Sequence, residues 1–155
     1  MNSVRKMVVG LMFLSLILPG VAVSAPLPIL DLSPYKGKVV YLDFWASWWA
    51  PCRISFPWMS QNQTAYERQG LVIIAVNVDH DRRLADDFMN RNPSQFKVVY
   101  DPAGALASAY NIKAMPTSVL IDRNGMIRYV HSGFLENQEN TYRSHIAELL
   151  NEKAP

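Results

Sequence analysis

The 155-residue chain has one cysteine, Cys52. A lone sulfur cannot staple its own chain, so no intrachain disulfide framework is available and Cys52 is either an inert core thiol or part of a site. Glycine is also scarce, at seven residues, and none clusters into a phosphate-cradling loop. No Cys/His spacing suits zinc, and no Ser/His/Asp set has supporting context. His80, His131 and His145 stand far apart and share no helix face with another ligand, and Asp79-His80-Asp81 reads as a solvated loop after a strand. No metal and no cofactor is therefore expected. Charged residues make up only 18% of the chain against 50% apolar, which excludes the disordered class and suits one globular domain.

Apolar runs long enough to span a bilayer, about 20 residues, are missing as well. The longest, from Met7 to Leu18, follows Arg5-Lys6 and precedes Pro19-Gly20 and the small residues Val23-Ser24-Ala25. This is the layout of a secretory signal peptide over residues 1–25, leaving a domain of residues 26–155 exported to the periplasm. Cleavage after Ala25 would expose Pro26; cleavage after Ser24 and retention as a membrane anchor stay open. Two of the 15 Lys and Arg and none of the 13 Asp and Glu lie in residues 1–25, so the remainder carries equal numbers of each sign. No basic stripe for nucleic acid remains.

"VVYLDFWA" predicts a buried strand over residues 39–44, and "LVIIAVNVD" a second one over residues 71–79. Between them, Cys52, Phe56, Met59 and Tyr66 fall on one face of a helix predicted over residues 51–69, with Pro57 expected to kink it and Gly70 to end it. Leu84, Phe88 and Met89 predict another helix, with Arg82-Arg83 and Asp86-Asp87 as opposite charges on its exposed face. A short strand over residues 97–100, a brief helix over 105–110, and a hairpin of "TSVLID" and "MIRYVHS" around Arg123-Asn124-Gly125 follow. Tyr142, Ile146, Leu149 and Leu150 mark a closing amphipathic helix. The sum is an α/β, three-layer domain with a mixed central sheet.

"YLDFWASWWAPCR", "IIAVNVD" and "YDPAGALASAYNIKAMPTSVLIDRNGMIRYVHSGF" together resemble the thioredoxin superfamily, and within it the exported TlpA/ResA-like thiol-disulfide oxidoreductases. The resemblance covers nearly all of residues 26–155 and implies a thioredoxin-like sandwich with a C-terminal β-hairpin and closing helix. It also implies a helix that begins Cys-x-x-Cys, with the nucleophilic cysteine first and the resolving cysteine one turn later. Here Trp49 stands in the first position, Ala50 and Pro51 follow, and only Cys52 remains. Trp49 is either the residue of a naturally degenerate member or a change in a Cys-Ala-Pro-Cys protein.

Two-electron reduction of a disulfide needs one thiolate to attack and a second thiol to resolve the mixed disulfide, and an indole does neither. Dithiol turnover is therefore expected to be absent or severely reduced. The same resemblance makes Asp43 a buried acid that exchanges protons with the resolving thiol; its bland alternative is a strand-end carboxylate paired with a lysine or amide. It places a cis-proline at Pro116, after Met115, in a loop that faces the cysteines and offers backbone to an extended peptide. Trp48 is expected near the site surface, and Trp49 either enlarges an apolar patch or, the favoured expectation, plugs the groove. Implied partners are cysteine-containing extracytoplasmic proteins and a membrane-bound electron donor. The alternatives are a non-catalytic binding module and a monothiol carrier acting through Cys52.

Overall fold

A computed structural model describes residues 30–153; the signal peptide expected over residues 1–25 lies outside the described residues. The order is β1 (Val39–Trp45), α1 (Ala50–Tyr66), β2 (Leu71–Asn77), α2 (Arg82–Arg91), β3 (Lys97–Tyr100), α3 (Ala105–Ala109), β4 (Thr117–Ile121), β5 (Ile127–Ser132) and α4 (Glu139–Asn151). One sheet forms in the order β3-β2-β1-β4-β5, with β1, β2 and β3 parallel and β4 and β5 antiparallel. This is the α/β thioredoxin-like arrangement, closed by a C-terminal strand pair and helix.

All seven residues of β1 are buried, because helices cover the central strand on both faces. Alternation then sorts its side chains. Val39, Tyr41 and Trp45 join Cys52, Phe56, Trp58 and Met59 of α1, Phe88 of α2 and Ile146 and Leu149 of α4 in one core. Val40, Leu42 and Phe44 face the other side, against Leu106 of α3 and the partly buried Leu30, Leu32 and Tyr110. By the same parity Asp43 lies on the α1 side, in register with Ser118 across β4.

Two local expectations shift. The helix predicted over residues 51–69 is α1 up to Tyr66, continuing through Pro57, followed by a 3-10 turn at Glu67–Gln69. Gly70 ends it at φ +104°, a left-handed conformation that a side chain disfavours. Leu84, expected on the apolar face of α2, is 48% exposed; Ala85 takes its place beside the buried Phe88 and the partly buried Met89, which face inward as expected.

Arg123, in the β4–β5 turn, ties three chain ends together. Its Nη1 donates to the Gly37 carbonyl at 2.8 Å, and its Nη2 donates to the carbonyls of Gln69 at 3.1 Å and Leu150 at 2.8 Å. The last is a carbonyl left over at the C-terminal turn of α4, where a cation is favoured. Arg123→Met is expected to lower unfolding stability by about 2 kcal/mol, the scale of lost charged hydrogen bonds. Urea denaturation checks this, and an unchanged midpoint would contradict it.

Candidate functional site

The turn from β1 into α1 is held by a buried carboxylate. Both oxygens of Asp79 accept the Ser47 amide at 3.2 Å, and Oδ2 also accepts the Asn77 side-chain amide at 3.0 Å. From the other side Arg53 Nε donates to the Ser47 carbonyl at 3.1 Å. Asp79 is only 2% exposed, which corrects its expected place in a solvated loop. Its amide donates to the Asn77 side-chain oxygen, a local hydrogen bond that folds it inward. Sequence reading missed this residue; Asn77 and Asp79 at the end of an apolar run were the available signal.

Trp49 is the residue that precedes the first turn of α1, with φ −92° and ψ 116°, and an indole offers no acceptor to the free helix amides. Ala50 and Pro51 open the helix, where the missing amide of proline costs nothing. Cys52 comes next, its amide donating to the Trp49 carbonyl at 3.1 Å. Its side chain is fully buried. Burial pushes the Cys52 thiol up to about 12; the charges of Asp43 and Asp79 push the same way, and the Ala46 backbone opposes them. A helix start lowers the pKa of an exposed thiol, but here desolvation outweighs it.

Asp43 lies within electrostatic range of that thiol. Burial raises its pKa to about 8, against partial relief from Ser118, and its Oδ2 has no hydrogen-bond partner among the described residues. The Ser118 hydroxyl also pairs with the Tyr41 hydroxyl at 2.7 Å. Asp43 is therefore mostly protonated at neutral pH, an acid that can hold or give a proton beneath α1.

The Met115-Pro116 bond is cis, and the Pro116 carbonyl accepts the Gly133 amide at 2.7 Å. Among the described residues, no hydrogen bond engages the backbone amide or carbonyl of Met115. Trp48 and Trp49 are 58% and 42% exposed, with ring centroids 5.9 Å apart at 71°. Trp49 leans edge-on against Trp48, with roughly half of its indole covered at the helix entrance. Trp48, without Trp49, lines a cavity of about 360 Å³ together with Phe44 and Met115.

The structure also joins two histidines that stand apart in sequence. His131 Nε2 and His145 Nδ1 are 2.9 Å apart across β5 and α4, and burial followed by the His145 charge pulls the His131 pKa down to about 4. His80 is exposed, its Nδ1 donating to the Pro102 carbonyl at 3.0 Å. Among the described residues no group of three or more His, Cys, Asp or Glu side chains is placed to hold a metal ion.

Comparison with known proteins agrees with this architecture. The family described as Redoxin matches residues 21–146. The thiol-disulfide oxidoreductase ResA of Geobacillus kaustophilus is 35% identical over 108 residues, 70% of this chain and 62% of the relative. ResA of Bacillus subtilis is 36% identical over 104 residues, 67% of this chain and 58% of the relative. The chain thus spans about three-fifths of the length of these curated relatives. A Chlorobium tepidum crystal structure, assigned as a thiol:disulfide interchange protein DsbE, superposes with a TM-score of 0.76 at 45% identity, over 77% of this chain and 85% of that one.

Asp43 sets a pH dependence whose sign is opposite to that of an ion-paired aspartate. In the unfolded chain it ionises near pH ~3.9, in the fold at about 8. Between those values the native state holds the extra proton, so stability falls as pH rises through the window, by up to about 1.4 kcal/mol per pH unit. Asp43→Asn is expected to flatten that slope and to be more stable than the parent at the alkaline end. Urea titrations across the window test it; an unchanged slope would mean that Asp43 is already ionised in the fold.

Proposed function

The chain belongs to the redoxin family and, within the thioredoxin superfamily, to its TlpA/ResA-like members, and from that premise we propose an exported protein of the thiol-disulfide oxidoreductase type in which dithiol exchange is absent or severely impaired. One observation carries the reading: the sole thiol is fully buried at the third position of α1, while an indole stands where the helix begins. Without a second thiol, a mixed disulfide has nothing in this chain to resolve it. A thiol with a pKa of about 12 is thiolate in only about one molecule in 10⁵ at neutral pH, which weighs against a monothiol carrier as well.

Export is supported by the signal-like residues 1–25; among the described residues no helix is long and apolar enough to cross a membrane. Cysteine-containing extracytoplasmic proteins and a membrane-bound electron donor are the partners that family membership favours. A second reading, a non-catalytic module that holds a partner segment, is favoured by the unengaged backbone of Met115 and the exposed indole of Trp48. Neither feature needs a sulfur.

Insulin reduction with dithiothreitol as electron source separates these outcomes. The parent is expected to match the uncatalysed rate. Trp49→Cys, which returns a thiol to the helix start where the macrodipole favours a thiolate, is expected to restore clear reductase activity. Equal activity in the two proteins would overturn the assignment of Trp49, and inactivity of both would place the defect elsewhere.

A further inference from the structure

His131 and His145 lie 14 residues apart in the chain and meet because two periodicities converge. Alternation along β5 turns Tyr129 and His131 toward α4, and the spacing of Tyr142, His145 and Ile146 turns those side chains toward the sheet. The result is one hydrogen bond between two imidazoles, His131 Nε2 to His145 Nδ1 at 2.9 Å, with the ring planes 19° apart. Tyr129 stacks on His145 with centroids 3.9 Å apart, and the Tyr142 ring lies 4.8 Å from that of His131. The two tyrosines hold both imidazoles in place.

A neutral imidazole carries one N–H and one bare nitrogen, so one ring of the pair donates and the other accepts. His131 Nδ1 decides which, because it is buried and has no partner among the described residues. If His145 donated, the His131 hydrogen would sit on Nδ1 as a buried N–H without an acceptor, the less tolerated arrangement. Packing thus selects His131 Nε2–H as the donor and the bare His145 Nδ1 as the acceptor. An added proton has no good place here. On His131 Nδ1 it creates that same orphan donor; on His145 Nδ1 it sets donor against donor and breaks the bond. Burial, followed by the His145 charge, accordingly pulls the His131 pKa down to about 4.

The charged groups around the pair are engaged elsewhere. Glu148 of α4 accepts the Tyr129 hydroxyl at 2.7 Å and lies 3.8 Å from Arg128 of β5. Arg128 also pairs with Asp122 and Glu152, and Arg143 pairs with Glu139. The Tyr142 hydroxyl is shared between the Leu135 amide and Gln138. Across the sheet, Ser118 of β4 stands in register between His131 and Asp43 of β1, and its hydroxyl pairs with that of Tyr41. Neither imidazole forms an ion pair among the described residues.

We propose that the His131–His145 hydrogen bond is a proton-operated latch between β5 and α4, closed while both rings are neutral and opened when the pair takes up a proton from solvent. Opening frees the N-terminal half of α4 first, since Arg123 and Arg128 still hold Leu150, Glu148 and Glu152 at the other end. Tyr142 then leaves Trp58 of α1, whose ring it meets at 5.8 Å, and the inward side of the site helix loses part of its cover. The latch is closed above the ordinary imidazole value of 6.5 and weakens as pH falls toward about 4. Asp43 acts with the opposite sign over that range, so global unfolding conceals the latch and a local measurement is needed. No part of the device involves Cys52 or Trp49.

Amide hydrogen exchange resolved by NMR at pH 7 and pH 5, corrected for the intrinsic pH dependence of exchange, tests this. A proton taken up on opening raises the opening constant by up to about 10-fold per pH unit. Protection of the amides of residues 143–147 is expected to fall by about 10-fold or more between the two conditions, while β1 and β2 keep theirs. His131→Gln, whose side-chain amide keeps a donor toward His145 without titrating, and His131→Phe are each expected to lose that fall, whatever their protection at pH 7. Circular dichroism checks that both variants are folded. Imidazole nitrogen NMR shifts of the parent at pH 7 are expected to show the hydrogen on Nε2 in both rings. Protection in α4 that does not change with pH, that falls equally in both variants, or that falls no more than in β1 and β2 would overturn the proposal. So would a hydrogen on His131 Nδ1 at pH 7.

Discussion

Ser47 is gripped at both ends of its backbone, its amide by Asp79 and its carbonyl by Arg53. This clamp fixes where β1 stops and α1 starts, and most of the site follows from it. With the turn held, Trp49 is left at the helix entrance facing solvent, and the third helical residue falls against the inner face of the sheet. Cys52 is buried for that reason, and burial dominates its acidity. The helix start and the sulfur are thus separated by one turn, a distance that matters because only the former enjoys solvent access together with the macrodipole.

Beneath the sulfur the strand carries an acid that ordinary core design would exclude. A buried carboxyl with an unpartnered oxygen is costly unless it is neutral, and the raised pKa of Asp43 shows how the fold accommodates it. Protonation also withholds a negative charge from Cys52, whose thiolate is already disfavoured by desolvation. A proton-holding acid, a shielded thiol and a cis-proline thus accompany a helix start occupied by an indole. The Trp48 cavity is lined by neither Cys52 nor Trp49, although Met115 also packs against the core cluster that holds Cys52.

Elements whose periodicity is dictated by burial were legible in the sequence. The continuous apolar runs of β1 and β2, the spacing of Tyr142, Ile146, Leu149 and Leu150 in α4, and the Gly70 stop all reflect local rules that tertiary contacts reinforce. What escaped reading depends on contacts distant in sequence or on side-chain hydrogen bonding. Asp79 turns inward through Asn77 and finds Ser47 32 residues away. His131 and His145 meet only because β5 lies alongside α4. Leu84 was misplaced because α2 turns Ala85 and Phe88 inward, and a small buried alanine carries little pattern signal. The edge-to-face contact between Trp49 and Trp48 depends on side-chain packing that the sequence does not reveal.

Exposure of Cys52 to glutathione disulfide, followed by intact-protein mass measurement, tests the central claim most directly. At neutral pH the folded protein should keep its unmodified mass, while the same protein in denaturing urea should acquire one glutathione per chain. Rapid, stoichiometric glutathionylation of the folded protein would contradict a sealed, protonated sulfur and would return Cys52 to the list of working nucleophiles.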